Sequence, residues 1–366
     1  MLETLEVILG IVVVFYILND VFQSVVVPRP TPARFRLTRW VVRPGWRAWR
    51  AMGLRSRSTG ERERLLGVYA PLVVVVLLLL WLSGLVFGYG LIFDGLRNQL
   101  HPLVRDFPTA LYFAGTSVLT IGFGDFVATS GLARLLALTA GGTGLGTIAL
   151  AISFLFSLYG SFQRREILIV TLDARAGAPP SGVNLLETMA KLGMIDDLPR
   201  FFAEWEKWAA EVLDSHMAYP VLAYFRSSHD NESWVSALGA VLDATTLVTT
   251  TVRDGPHGPA KMMFAMGRHL VEDLARFFRI ESDHDPGVER YEFDQARERL
   301  AAAGWSLLGP EESWVAFSRL RAQYAVALNN MAKWWAAPPT QWIGDRSYVR
   351  LTSLRHEEAP VRVASR

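Results

Sequence analysis

Long apolar runs alternate with charged stretches along the first half of this chain, and the second half changes to a helical rhythm. Residues 5–27 are almost wholly apolar and long enough to cross a bilayer. Their start carries Glu3 and Glu6 but no Lys or Arg, which predicts an uncleaved helix rather than a signal peptide. Asn19 and Asp20 fall near the far end. A carboxylate at membrane depth is expensive, so Asp20 is expected at the interface or paired with an Arg. Residues 65–93 give the strongest spanning signal, since 72–82 contain no polar residue. Residues 108–119 read as a helix opened by Pro108 and too short to span, and residues 131–162 are the last span. A short helix between two spans is a re-entrant element, tolerated at membrane depth only under protein cover.

Beyond residue 166 the pattern predicts a second, all-helical unit. Residues 167–172 fit either a strand or a continuation of the last span, and 177–182 form a loop. Asn184 with Glu187 has the spacing of a capping box. Residues 198–215 place Phe201, Phe202, Trp205, Trp208 and Val212 on one broad face. Helices are expected over 233–252, 260–280, 289–303 and 311–335, with breaks at Asp254-Gly255-Pro256 and Gly309-Pro310. Residues 234–252 are apolar enough to suggest a fourth span, but Asp243 at their centre and many hydroxyl residues favour a buried helix. The expected division is 1–28 (a first transmembrane helix), 29–64 (a basic interfacial segment), 65–162 (two spans with the re-entrant element between them), 163–182 (a linker), 183–337 (a helical cytosolic domain) and 338–366 (a tail).

Composition agrees with one membrane part and one soluble part: 366 residues, 51% hydrophobic, mean hydropathy +0.22. The net charge of +2 conceals an uneven distribution. Arg29, Arg34, Arg36, Arg39, Arg43, Arg47, Arg50, Arg55, Arg57, Arg62 and Arg64 crowd one short segment, and loops so rich in Arg stay in the cytoplasm. Phe35, Trp40, Trp46 and Trp49 lie among them, a mixture suited to an anionic leaflet. A voltage sensor would carry its arginines inside an apolar span, whereas here Pro44-Gly45 is expected to break a polar run. Tethering between two spans argues against nucleic-acid binding. With no cysteine, disulfides and thiolate metal sites are excluded. His229-Asp230-Asn231-Glu232 and Asp283-His284-Asp285 are consecutive runs, not spaced ligand sets, and read as solvated loops. His216 and His269 read as ordinary helix residues. No nucleophile elbow, phosphate loop or catalytic carboxylate pair is evident, so no enzyme is expected.

The stretch Thr120-Ile121-Gly122-Phe123-Gly124, followed by Asp125, carries the candidate chemistry. Dehydrating a cation takes successive backbone carbonyls aimed at one axis. Such a strand alternates between ordinary and left-handed backbone, and Gly122 and Gly124 supply the left-handed half two residues apart. Thr120 adds a hydroxyl, while Ile121 and Phe123 can brace the strand by packing outward. The stretch resembles the Thr-Val-Gly-Tyr-Gly-Asp filter of tetrameric potassium channels, and the resemblance covers roughly residues 65–162. Phe in place of Tyr is a variant known from two-pore-domain channels and removes a phenolic hydrogen bond. The resemblance implies K⁺ held by the carbonyls of Thr120, Ile121, Gly122 and Phe123, and Tyr112 and Phe113 as an aromatic cuff. It also implies a gating hinge near Gly144. Gly141, Gly142, Gly144 and Gly146 fit either close packing or bending. Below them Ile148, Ile152, Leu155 and Phe156 are candidates for a hydrophobic constriction, and Asp125 for a carboxylate ring at the outer mouth.

One filter per chain requires four copies around one ion, hence a homotetramer. With the Arg-rich loop inside, the chain starts outside, its filter loop dips in from outside, and Arg164 and Arg165 return to the cytoplasm. Neither a Gly-x-Gly-x-x-Gly nucleotide turn nor a second filter follows. The expectation is therefore an all-α, multi-pass protein of the cell membrane. It would form a potassium-selective channel, gated or assembled by its cytosolic domain, with no cofactor beyond the permeant K⁺. Expected partners are further copies of the chain, anionic headgroups at the Arg-rich segment and an unidentified cytosolic ligand. A weakly selective cation channel and a membrane-anchored sensor with a vestigial pore are the alternatives.

Overall fold

The computed structural model describes residues 2–27, 37–56, 58–227, 232–280 and 287–343. Arg29, Arg34, Phe35, Arg36, Arg57, His229-Asp230-Asn231, Asp283-His284-Asp285 and the tail beyond 343 lie outside the described residues. The chain divides into two compact units, Met1–Arg47 with Tyr69–Gly160, and Ala48–Val68 with Ser161–Arg366.

The first unit is built on helices α1 (Leu2–Val21, continued by a wider π turn to Val26), α2 (Leu37–Gly53), α3 (Thr59–Gly95), α4 (Phe107–Val118) and α5 (Gly131–Ala176). Among the described residues three helices are long and apolar enough to cross a membrane: Leu2–Val26, Gly60–Gly95 and Gly131–Ala176. Lipid gives helices no hydrophobic reason to associate, so close fit through small residues must hold them. Gly84 and Gly88, one turn apart on α3, receive Ile17 and Val14 of α1, and Gly10 of α1 lies against the Gly88 carbonyl. A Cβ at Gly84 would stand 2.6 Å from the Ile17 Cδ1. A two-residue ribbon, β1 (Leu100–His101) with β2 (Val127–Ala128), ties the segments before and after α4.

Asp20, expected at the interface or paired with an Arg, is buried: among the described residues it accepts from the Leu37 amide at 3.0 Å, the Thr38 hydroxyl at 3.0 Å and the Trp81 indole at 2.8 Å. It thus caps the start of α2 across 17 residues of separation, a link that no local pattern announces. One expectation is corrected here: the Pro44-Gly45 break does not occur, and α2 runs through it. Proline costs one helical hydrogen bond, and packing here offsets it. Trp46 is fully buried with its ring 5.1 Å from that of Tyr69, and the Tyr69 hydroxyl donates to the Val42 carbonyl. Polarity, not a broken helix, is what separates α2 from a voltage sensor.

Helix α5 continues through 167–172 rather than giving way to a strand. The second unit takes the ends of α2 and α5 and the start of α3, and adds α6 (Gly182–Lys191), α7 (Leu198–Ala218), α8 (Trp234–Thr250), α9 (His257–Phe278), α10 (Arg290–Ala302), α11 (Pro310–Arg321) and α12 (Ala325–Trp335). Helix α8 packs against α6, α9, α11 and α12, and nearly all of it is buried. Its Asp243 meets the Arg321 guanidinium at 2.9 Å and accepts from the Tyr324 hydroxyl. The expected helix over 311–335 is broken at 322–324, which brings Arg321 and Tyr324 onto the same carboxylate. Helix α6 is capped by Ser181, not by Asn184. The Ser181 hydroxyl accepts from the Asn184 amide at 3.4 Å, and Glu187 pairs with Arg299 and Lys191.

Candidate functional site

Helix α4 starts at Asp106, whose carboxylate accepts from the Thr109 amide at 2.9 Å and is held below the usual carboxylate range by the Thr109 side chain first and by that amide second. Phe113 anchors the helix against Phe93, ring centres 4.8 Å apart. At the other end the chain does not continue as helix. The Thr116 carbonyl accepts from Ile121 at 2.8 Å and Gly122 at 3.3 Å, and Ser117 accepts from Thr120 at 3.1 Å. Thr120, Gly122 and Gly124 have φ of +56°, +59° and +81°, left-handed at every second residue. The two glycines are where alternation requires them. Thr120 is the surprise, because a β-branched residue rarely enters this region, and such strain collects at functional sites.

Within one chain this segment is open: Ile121 is 50% and Phe123 68% exposed, and Thr120, Gly122, Gly124 and Asp125 are exposed too. Phe123 is braced on one side by Tyr112, the rings parallel within 4° and 6.4 Å apart, while Phe126 meets Tyr112 edge-on at 6.3 Å. The Asp125 carboxylate, at the end of the segment, pushes the pKa of the Tyr112 hydroxyl up. This proximity of α4 to the end of the segment is not legible in the sequence, although Tyr112 and Asp125 each stand out there.

Helix α5 crosses the end of α4 at Gly144, where a Cβ would overlap the Val118 carbonyl. Gly141 faces the Ser117 carbonyl at 3.4 Å, whereas Gly142 and Gly146 face open space. The helix is unbroken at Gly144, so the glycine has a packing contact in this conformation. Ile148 and Leu155 are half-buried, and Ile152 and Phe156 are exposed, Phe156 by 75%. Among the described residues no group of three or more His, Asp or Glu side chains is placed to hold a metal.

Further along α5, within the second unit, Arg165 is buried and spends its whole guanidinium on named partners. It bonds Glu166 at 2.9 Å, the Leu222 carbonyl at 3.0 Å and the Phe225 carbonyl at 2.9 Å. Its Nη1 donates to His216 Nε2 at 3.2 Å, and His216 Nδ1–H donates to the Val212 carbonyl at 2.8 Å. Burial, reinforced by the Arg165 charge, pushes the His216 imidazole well below its ordinary pKa. Next in sequence to Phe225, Arg226 bonds Glu63 of α3 at 2.6 Å and the Trp335 and Ala336 carbonyls at the end of α12. His269 is exposed beside Asp273 at 3.6 Å.

Residues 74–160 match the model of the ion-channel family, a stretch that holds α4, the Thr120–Asp125 segment and most of the apolar part of α5. That stretch is thus similar to an ion-channel domain, and it lies in a chain whose described residues include three helices long and apolar enough to cross a membrane. The chain is also 22% identical over 204 residues to the uncharacterized membrane protein YdjJ of Bacillus subtilis (strain 168). That alignment covers 55% of this chain and 59% of the relative. No solved structure matches the chain.

Proposed function

We propose that the chain is a potassium-selective channel whose pore four copies complete. The observation that carries this reading is the left-handed backbone at Thr120, Gly122 and Gly124, directly after a short helix capped by Asp106. That alternation turns successive carbonyls to one side, which is what replacing the hydration shell of K⁺ requires. The ligands would be the carbonyls of Thr120, Ile121, Gly122 and Phe123 with the Thr120 hydroxyl, and Asp125 would concentrate cations at the outer mouth. One strand cannot surround an ion, and the exposure of this segment in a single chain supports closure by three others. Arg-rich α2 supports an orientation with the chain start outside and the helical unit in the cytoplasm, its arginines and Trp40 against anionic headgroups.

The same reading gives the helical unit its task. Residues 222–226 hold the base of α5 through Arg165 and the base of α3 through Glu63. A ligand that shifted this short segment would act on both spans at once, provided it bound the two arrangements with different affinity. Gly144 is the proposed point at which α5 bends, and Ile152, Leu155 and Phe156 the constriction that such bending would open.

The test is the zero-current potential of the purified protein in a planar bilayer, K⁺ on one side and Na⁺ on the other. A potential near the K⁺ equilibrium value is expected. Clear currents reversing near zero would overturn selectivity and favour the weakly selective channel, for which the missing phenol at Phe123 speaks.

A further inference from the structure

We infer that the part of α5 beyond the membrane joins copies of this chain, with Gln163, Ile167, Val170 and Ala174 of each copy facing the same residues of its neighbours. The inference rests on the four-copy reading and adds the surface that holds the copies together below the pore. Helix α5 has 46 residues, a length of about 70 Å at 1.5 Å per residue. A hydrocarbon core takes about 20 residues of such a helix, so its last turns extend past the lipid.

Those turns have two unlike faces. Ser161, Arg165, Ile169, Leu172 and Ala176 are buried within their own chain, and the Trp208 indole donates to the Arg165 carbonyl at 3.0 Å. On the other face Gln163, Ile167, Val170 and Ala174 are exposed, Ile167 by 60% and Val170 by 40%. One exposed aliphatic residue needs no explanation, but this face is ordered. Its steps of four, three and four are those of a helix packed along a like helix. The alternation continues upward through Phe156, Ser153, Ala149, Gly146 and Gly142, all exposed.

Charge selects the occupant. The face itself carries none, although Arg164 and Asp173 beside it are charged and exposed. Four identical faces therefore meet without repulsion, and under rotational symmetry each presents the same residues to the axis. A lipid tail would gain from Ile167 and Val170 but would leave the Gln163 amide without a partner.

The chain has no cysteine, which makes a direct test available. Q163C, I167C, V170C and A174C are each introduced into the full-length protein in membranes, with K207C on the exposed face of α7 as control, and mild oxidant is added. Cysteines facing each other across a seam have effective concentrations in the millimolar range. I167C and V170C should then form disulfide-linked dimers at least about tenfold faster than K207C. Equal rates for I167C, V170C and K207C would overturn the seam, whatever covers that face instead. The zero-current potential of the unsubstituted protein separates the two readings. Selective currents without crosslinking defeat the seam alone, whereas crosslinking with clear currents that reverse near zero keeps the seam and defeats potassium selectivity.

Discussion

The two units place their functional polar groups differently. In the helical unit the central buried charges meet partners from their own chain. Asp243 meets Arg321 and Tyr324, and Arg165 meets Glu166, His216 and two carbonyls. In the first unit the Thr120–Asp125 backbone is held in an improbable conformation and left exposed. Under the proposed four-copy reading, that exposed side is the one further copies would cover. The contrast also sorts mutations. Lesions in the helical unit should reduce stability while any assembled pore keeps its ion preference, and lesions in the filter should do the reverse.

The sharpest test of that division lies at the glycines. In Gly122→Ala or Gly124→Ala nothing within 4 Å would obstruct the new Cβ, so the effect is conformational rather than steric. A left-handed non-glycine residue costs roughly 1–2 kcal/mol. Four copies raise this to about 4–8 kcal/mol per pore, enough to abandon the alternating backbone. Potassium-selective flux into vesicles should be abolished, with thermal unfolding of the helical unit unchanged. Full K⁺ selectivity in either variant would break the filter assignment.

The opposite lesion is Asp243→Ala. It strands the Arg321 guanidinium inside the core, and removing one partner of a buried pair costs about 3–5 kcal/mol. A large fall in melting temperature is expected, with a smaller one for Asp243→Asn, which keeps an acceptor. Any protein that still assembles should keep its reversal potential. A shift in reversal potential without a fall in melting temperature would contradict the separation of the units.

How legible this was in the sequence depended on whether the cause was local. Gly122 and Gly124 announced the left-handed positions because such a residue is chosen position by position. Long apolar runs announced the spans because bilayer thickness fixes their length. The helical unit announced its elements through periodicity, as the buried face of α7 illustrates. What stayed hidden was pairwise and remote: Asp20 with Trp81, Asp243 with Arg321, Arg165 with His216. Asp20 and Asp243 stood out as costly residues, but nothing local said which group would satisfy either, and Arg165, His216 and Arg321 did not stand out as costly at all. Thr120 failed differently, since propensity argues against a left-handed threonine and its neighbours impose one.

His216 gives a third, smaller test, on the side of the helical unit. The ring is buried and neutral, with Arg165 against one nitrogen and the Val212 carbonyl against the other, and Glu166 pairs with that same Arg165. Its folded pKa lies below the ordinary value, so the unfolded chain binds the proton more readily. Its contribution is therefore fully present above about pH 6.5 and is lost as pH falls below that. The expected slope is about 1.4 kcal/mol per pH unit, continuing downward until the folded ring itself titrates. Glu187, held low by Lys191 and Arg299, acts only in the more acidic carboxylate range. Urea unfolding between pH 7 and pH 5.5 should thus weaken in the parent chain and flatten in His216→Gln. An unchanged slope would place the titrating group elsewhere.

The mildest test concerns the hydroxyl of Tyr112, the phenol beside Phe123. Tyr112→Phe keeps the ring that lies parallel to Phe123 and removes only the hydroxyl that the Asp125 carboxylate acts on. Such an interaction is worth at most about 1 kcal/mol net, so the strand should stay formed and merely loosen. On an equilibrium between tight and slack filters that is roughly a fivefold change in population. The relative Na⁺ permeability should rise by no more than that factor, with total current retained. If selectivity were untouched, the Tyr112 hydroxyl would not be what stiffens the strand, and rigidity would have to come from the ring contacts or from neighbouring copies. If selectivity were lost as completely as in Gly122→Ala, the backbone alternation would depend on this one hydroxyl, and the glycines alone would not suffice to hold it.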